Sequence, residues 1–499
     1  MFQSSLKGRF ISGARWTLAV RVVDRGLGFF STLLLARLLT PEDFGVIAMG
    51  TSILAVLMAI TEFGFAQALI QREDTAREAY DTAWTLQIIA SAIVALLVVS
   101  IIPVALHWYG EPRVVPVMLV LAGVAFASSF RNVGLVLFER EMDFRPMFFT
   151  VLGRKIASVT VAVGTAVVLG NHWALLAGMV AGTIVDIVLS YRVSPFRPRL
   201  SLERTHELIG FSKWWLAAQF LELATRRGQD FFLGARLGAE RLGQYTVAFE
   251  LATLPTTEIV AAVSRALLPG YMKLKHDPEQ MFAAFARVWA VVALITLPAA
   301  AGIYALAGPI TLVVLGQKWA GTEALLELLA FLGVLHAMGN TLWPLVLARG
   351  GAKAVFLLRL LGFILALPAF AVLLALFGLQ VAVLGLLATS LIWLVVGAVW
   401  LSGFGLSEMK RLAGALVRPM SASAAMVGLL YLSRQYFVSE GGWGSFAGSL
   451  IANVALGAAV YAITLSALWW VSGRPTGAER DLVSMIPMPF NSMRRRKTT

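Results

Sequence analysis

Runs of apolar residues long enough to cross a bilayer recur along this chain, and that alone limits the folds open to it. A membrane-spanning helix needs about 20 mostly apolar residues, and about 14 such runs with short polar breaks between them can be placed here. Their approximate centres are residues 25, 56, 96, 127, 160, 182, 224, 256, 296, 333, 365, 390, 424 and 458. Lipid offers no hydrogen-bond partner to backbone groups, so only helices or closed barrels span it, and the alternating pattern of barrel strands is absent. The expected fold is therefore an all-α polytopic membrane protein. Composition agrees: 59% of the 499 residues are hydrophobic and only 14% are charged, where a soluble domain has about a quarter. Met1 to Gly13 leads into a span that contains charges, so no cleaved leader is expected and the first span is its own targeting signal.

The formal charge of +13 follows the spans. Even-numbered gaps hold most of the Lys and Arg, from Arg72 and Arg77 through Arg192, Arg197, Arg199 and Arg204 to Lys410, Arg411 and Arg418, and odd-numbered gaps hold few. The positive-inside rule then puts both termini in the cytoplasm. The tail from Arg474 to Arg496 fits a basic segment lying on anionic membrane lipids. Nucleic-acid binding would need a folded basic face, which no soluble domain here supplies. The absence of cysteine excludes disulfides and thiolate metal sites. His107, His172 and His336 have no ligand spacing, so no metal site is expected.

The chain also repeats itself. Ser12-Gly13-Ala14-Arg15-Trp16 opens one span and Phe211-Ser212-Lys213-Trp214-Trp215 another, and 21 residues separate Trp16 from Arg37 as 21 separate Trp215 from Arg236. After these arginines, Ala36-Arg37-Leu38-Leu39-Thr40-Pro41-Glu42-Asp43-Phe44-Gly45 aligns with Ala235-Arg236-Leu237-Gly238-Ala239-Glu240-Arg241-Leu242-Gly243, one residue shorter. Six expected spans lie between the copies, so the halves keep the same orientation across the membrane. The expected organisation is an N-terminal six-helix lobe over residues 1–192, a cytoplasmic linker at 193–212, and a C-terminal six-helix lobe at 213–405. An appended helix pair at 406–471 and a basic cytoplasmic tail at 472–499 follow.

Charge inside a span costs about 2.5–3.5 kcal/mol per residue at mid-membrane, so each instance asks for a reason. The first span holds Arg21, Asp24 and Arg25, which share a face with Gly28 and Thr32 by helical spacing. The seventh, its repeat partner, holds Gln219, Glu222, Arg226, Gln229 and Asp230 on one face, with Arg227 beside them. One reading is an i, i+4 ladder of Glu222, Arg226 and Asp230 that merely neutralises itself. The other is a hydrated cationic cavity that takes an anionic group, with arginine gripping phosphate oxygens through its planar fork. Asp186 and Glu258 are the expected ion-coupling carboxylates, for a proton or sodium ion, because a buried carboxylate can load and release a cation. Arg131, Glu327 and Arg359 read as snorkelling ends or pairs within a lobe. Gly178 and Gly182 read as helix packing.

Two six-helix lobes plus a pair, the Arg25-Gly26-Leu27-Gly28-Phe29 stretch, the Ala36–Gly45 turn and the helix end Glu62-Phe63-Gly64-Phe65-Ala66-Gln67-Ala68 resemble a known family. It is the polysaccharide-transport, Wzx-like branch of the multidrug/oligosaccharidyl-lipid/polysaccharide exporter superfamily, and the resemblance covers nearly the whole chain. It implies a bacterial inner-membrane flippase for an undecaprenyl-pyrophosphate-linked oligosaccharide, serving O-antigen, capsule or exopolysaccharide assembly beside a glycan polymerase and glycosyltransferases. The lipid II flippase, a cousin, is similar in having a first-helix arginine in an Arg-x-Leu-Gly-Phe setting, which Arg25 matches. Where that cousin has a second basic residue soon after, this chain has Ser31, which argues against lipid II as cargo. A place for Glu62 near the cavity is carried over from the same resemblance.

The expected mechanism is docking of pyrophosphate on Arg25 and Arg226 or Arg227, followed by rocking of the lobes. No bond is made or broken, so no enzyme is expected. A cation-coupled multidrug exporter of the same architecture would instead call for an acidic cavity. A membrane glycan polymerase or ligase would need a larger external loop than any gap here provides.

Overall fold

The computed structural model describes residues 2–61, 76–205, 213–401, 405–433 and 443–474, with Leu69 and Gly403 between them. Among these residues the chain is helical and no strand occurs. The longer helices are α1 (Phe2–Leu38), α2 (Pro41–Thr61), α3 (Arg77–Tyr109), α4 (Val114–Ser128), α5 (Arg145–Leu169) and α6 (Trp173–Val193). They continue with α7 (Lys213–Lys273), α8 (Pro278–Ala305), α9 (Glu323–Phe377), α10 (Leu379–Val396), α11 (Leu406–Ser433) and α12 (Trp443–Val471). Every centre expected from the sequence falls within one of them.

Two of these helices hold two expected centres each, because α7 is interrupted at Gly238 (φ 79°, ψ −177°) and α9 at Gly351 (φ 65°, ψ −167°). That backbone region is essentially open to glycine only. Gly238 stands where the second copy of the repeated turn is one residue shorter than the first. In the first copy the turn is built by capping instead. Thr40 precedes Pro41 at the start of α2, its N–H donates to Asp43 Oδ2 at 2.9 Å, and its hydroxyl donates to the same oxygen at 2.7 Å. This is a capping box with proline at the first helical position.

Nine helices among the described residues are long and apolar enough to cross a membrane. Helix α1 is not among them, since the charges of its polar stripe interrupt the apolar run. Helix α4 is apolar but spans only 15 residues. The outer surfaces are apolar: Leu96 is 68%, Val168 79% and Ile451 70% exposed. In water that surface would be unfavourable, and in lipid it is matched.

The chain divides into two compact units. One comprises Met1–Val247, Val314–Thr322 and Gly362–Ala382. Within it α1 packs along α5, with the Trp16 and Phe148 rings 5.1 Å apart edge to face, and Leu35 and Leu39 buried with Ala162, Ala166 and Ala174. Helix α6 lies on α5 through Gly178 and Gly182, where a side chain would meet Ser158, Ala162 and Arg154, so the small pair serves packing. Residues 194–204, the first part of the expected linker, lie along the start of α3. The amides of Arg199 and Ser201 donate to Asp81 Oδ1 and Thr85 Oγ1, each at 2.9 Å.

The other unit comprises Ala248–Val313, Glu323–Leu361 and Val383–Thr499. Here α11 and α12 pack on α8 around Ala301, Leu306, Met426 and Leu430. Pro298 lies inside α8, and its missing N–H deprives the Leu294 carbonyl of a helical donor. The Tyr461 hydroxyl of α12 donates to that carbonyl at 2.8 Å.

Candidate functional site

The charged stripe of α1 meets α5. Asp24 Oδ1 accepts from Arg154 Nη2 at 3.0 Å and pairs with Lys155 Nζ at 3.2 Å. Arg21 is half-buried and Arg25 is exposed, on the same face by helical spacing. Gly28, one turn beyond Asp24, leaves room for the Lys155 ammonium, which a methyl group there would approach to 3.3 Å. Arg154 and Lys155 of α5 thus meet Asp24 of α1, and Arg21 and Arg25 neighbour that carboxylate on α1 by helical spacing. Arg154 and Lys155 were not singled out from the sequence. The signal was present, because both stand inside an apolar run at the same insertion cost that drew attention to Arg25.

The second stripe lies on α7. Arg227 Nη1 donates to Asp230 Oδ2 at 3.1 Å, so Arg227, which the i, i+4 ladder leaves out, also engages that carboxylate. Asp230 is buried, Glu222 half-buried and Arg226 exposed. Beside them the Tyr245 hydroxyl donates to Gln229 Oε1 at 3.3 Å. The Phe231 ring lies 5.6 Å from Trp108 and 5.4 Å from Tyr109. Asp24 thus takes its partners from α5, and Asp230 takes Arg227 from its own helix.

Of the ion-coupling carboxylates, Asp186 on α6 pairs with Arg131 Nε at 3.2 Å, and its Oδ1 is buried with no hydrogen-bond partner among the described residues. Arg131 is therefore a pairing residue, as its position suggested. The Glu258 side chain lies outside the described residues although its backbone is helical, and Glu62 lies outside them entirely. Among the described residues no group of three His, Asp or Glu side chains is placed to hold a metal ion.

One end of the same unit carries a polar network. Arg113 bonds Glu111 at 2.8 Å and also pairs with Glu42, which holds the Glu111 carboxyl below its ordinary value and raises the Arg113 guanidinium above its own. Asp43 Oδ1 accepts the His172 amide at 2.9 Å. Burial pushes the His172 imidazole below its ordinary value of 6.5, and the nearby Arg113 charge adds to this while Asp43 opposes it.

The arrangement is a partly exposed basic cluster on an otherwise apolar helical bundle, and its cations can bind an anion. Two solved structures share this fold. The chain superposes on the lipid II flippase MurJ in an inward closed conformation with a TM-score of 0.68 at 12% identity, covering 94% of this chain and 100% of that one. A multidrug resistance MATE family transporter of the MOP superfamily in an inward-facing conformation follows at 0.57 and 17% identity, over 80% of this chain and 94% of that one. Among curated relatives, the lipopolysaccharide biosynthesis protein WzxC of Escherichia coli (strain K12) is 24% identical over 70% of this chain and 72% of its own length. The succinoglycan biosynthesis transport protein ExoT of Rhizobium meliloti (strain 1021) is 27% identical over 68% and 69%. A family model described as polysaccharide biosynthesis protein matches residues 34–324. That match takes in the Ala36–Gly45 turn and begins after the Arg25–Phe29 stretch; it bears out the family resemblance, and the chain is a multi-pass membrane protein belonging to the polysaccharide biosynthesis protein family.

Proposed function

We propose that this chain is a flippase that moves an undecaprenyl-pyrophosphate-linked oligosaccharide from the cytoplasmic to the outer leaflet of a bacterial inner membrane. The observation that carries the reading is the grouping of Arg154 and Lys155 with Asp24 beside Arg21 and Arg25. A diphosphate and a polar glycan cannot enter hydrocarbon unaided, whereas a polyprenyl tail can stay in it. Arg21, Arg25, Arg154 and Lys155 bind the diphosphate, with Arg226 and Arg227 of the second repeat as further contacts. Two six-helix lobes rock about the bound headgroup, and no covalent step is involved. The positive-inside pattern supports cytoplasmic termini. A coupling proton or sodium ion would compete with Arg131 for Asp186. The named relatives support the reading, and the basic character of the cluster disfavours export of cationic drugs.

The test is mass spectrometry of lipid-linked glycans, with leaflet assigned by accessibility from outside, in cells lacking the protein and in cells carrying Arg25→Ala or Arg154→Ala. An undecaprenyl-pyrophosphate oligosaccharide accumulating on the cytoplasmic side is the expected result and identifies the cargo. Unchanged lipid-linked glycans together with unchanged surface polysaccharide would overturn the reading.

A further inference from the structure

The turn that the two repeats share brings two glycines face to face. Gly45 in α2 and Gly243 in α7 hold matching places in the two copies, as do Pro41 and Ala239. A methyl group on Gly45 would fall on the carbonyl of Ala239, and one on Gly243 would fall on the carbonyl of Pro41. The contact is therefore reciprocal: the glycine of each copy rests, backbone on backbone, on the residue that opens the helix in the other. All four residues are buried, and the geometry is that of paired Cα–H to carbonyl contacts.

The surroundings brace this contact. Arg37 Nε donates to the Val314 carbonyl at 3.0 Å, and Trp319 Nε1 donates to the Ala36 carbonyl at 2.8 Å. The Phe44 and Trp319 rings lie 5.3 Å apart edge to face. Helical rise places this end of α1 about 20 Å from Asp24 and Arg25, on the side opposite the amino terminus.

We propose that Gly45 and Gly243 form the latch of the outer gate, closing α1, α2 and α7 above the cationic cluster and parting when the outer face opens. Two backbones that meet without side chains can separate and rejoin without repacking a core. Any side chain at either glycine would hold them apart. The purpose of the latch rests on the transport reading.

The chain contains no cysteine, so a single thiol reports the opening. Ser52 is buried about 10 Å further along α2, which makes Ser52→Cys the reporter. In reconstituted vesicles, a membrane-impermeant maleimide added from the outer face should label it slowly in the otherwise native chain. Adding Gly45→Ala or Gly243→Ala should raise the rate at least tenfold. Gly178→Ala, which crowds α6 against α5 instead, should leave it unchanged. Equal protection in both latch variants, or an equal rise with Gly178→Ala, overturns the proposal. If the alanine variants do not reach the membrane, Arg37→Gln with Trp319→Phe removes the bracing bonds and must raise labelling at least threefold, and no rise overturns it. Labelling needs no cargo, so this test can fail while the glycan assay succeeds, and the reverse.

Discussion

Asp24 and Arg154 are 130 residues apart in the chain and 3.0 Å apart in space, and the same Asp24 oxygen lies 3.2 Å from Lys155. One carboxylate thus fixes two cations on the neighbouring helix. Both arginine and carboxylate are more than a third exposed, so a double-mutant cycle of Asp24→Asn with Arg154→Gln should give a coupling of about 1 kcal/mol. Thermal melts of the purified variants measure it. On the proposed function, Arg154→Gln with Lys155→Gln lowers flipping at least tenfold while the protein still inserts, and wild-type flipping in that variant would remove both residues from the site.

The Tyr461 hydroxyl bond to the Leu294 carbonyl predicts a specific non-additivity. Tyr461→Phe leaves that carbonyl unpaired and should destabilise by about 1–3 kcal/mol. Pro298→Ala returns a backbone donor four residues on, so Tyr461→Phe in that background should cost clearly less. Equal costs in the two backgrounds would show that the carbonyl does not depend on the hydroxyl.

His172 predicts a pH dependence. Its imidazole is held below 6.5 by burial, so the unfolded chain binds the proton more readily than the folded one. Stability is therefore full above that value and falls as pH drops below it. The melting temperature should decline between pH 7 and pH 5, and His172→Gln should flatten that decline. Glu111, held below its ordinary value of 4.5 chiefly by Arg113, keeps its contribution until the pH falls below that value, outside this window.

Asp186 and Arg131 give a test of coupling. If Asp186 loads the driving ion, Asp186→Asn abolishes the response of flipping to a proton or sodium gradient and Arg131→Gln keeps it. Loss of protein from the membrane in both variants, with the gradient response intact in what remains, would make the pair structural.

Much of this protein was legible from one-dimensional pattern. Helices of membrane length follow from runs of apolar side chains, because lipid forces every backbone group to pair within its own segment. The stripe of Arg21, Asp24 and Arg25 is visible because a charge inside such a run is costly and needs a purpose. The repeated turn shows in aligned residues, down to the missing position that Gly238 makes good with a left-handed backbone. The same reasoning passed over Arg154 and Lys155, although their place in an apolar run carried the same signal.

Residue order alone fixed the helices, the charged faces and the equivalence of Gly45 with Gly243, since these depend on local periodicity and composition. Only the tertiary structure decided that Asp24 is held by α5, that Asp186 meets Arg131, that Tyr461 satisfies the carbonyl freed by Pro298, and that the two glycines lie on each other's turns. Pairing between helices depends on how their surfaces pack in three dimensions, and the spacing of residues along any one helix does not specify which neighbour it will face.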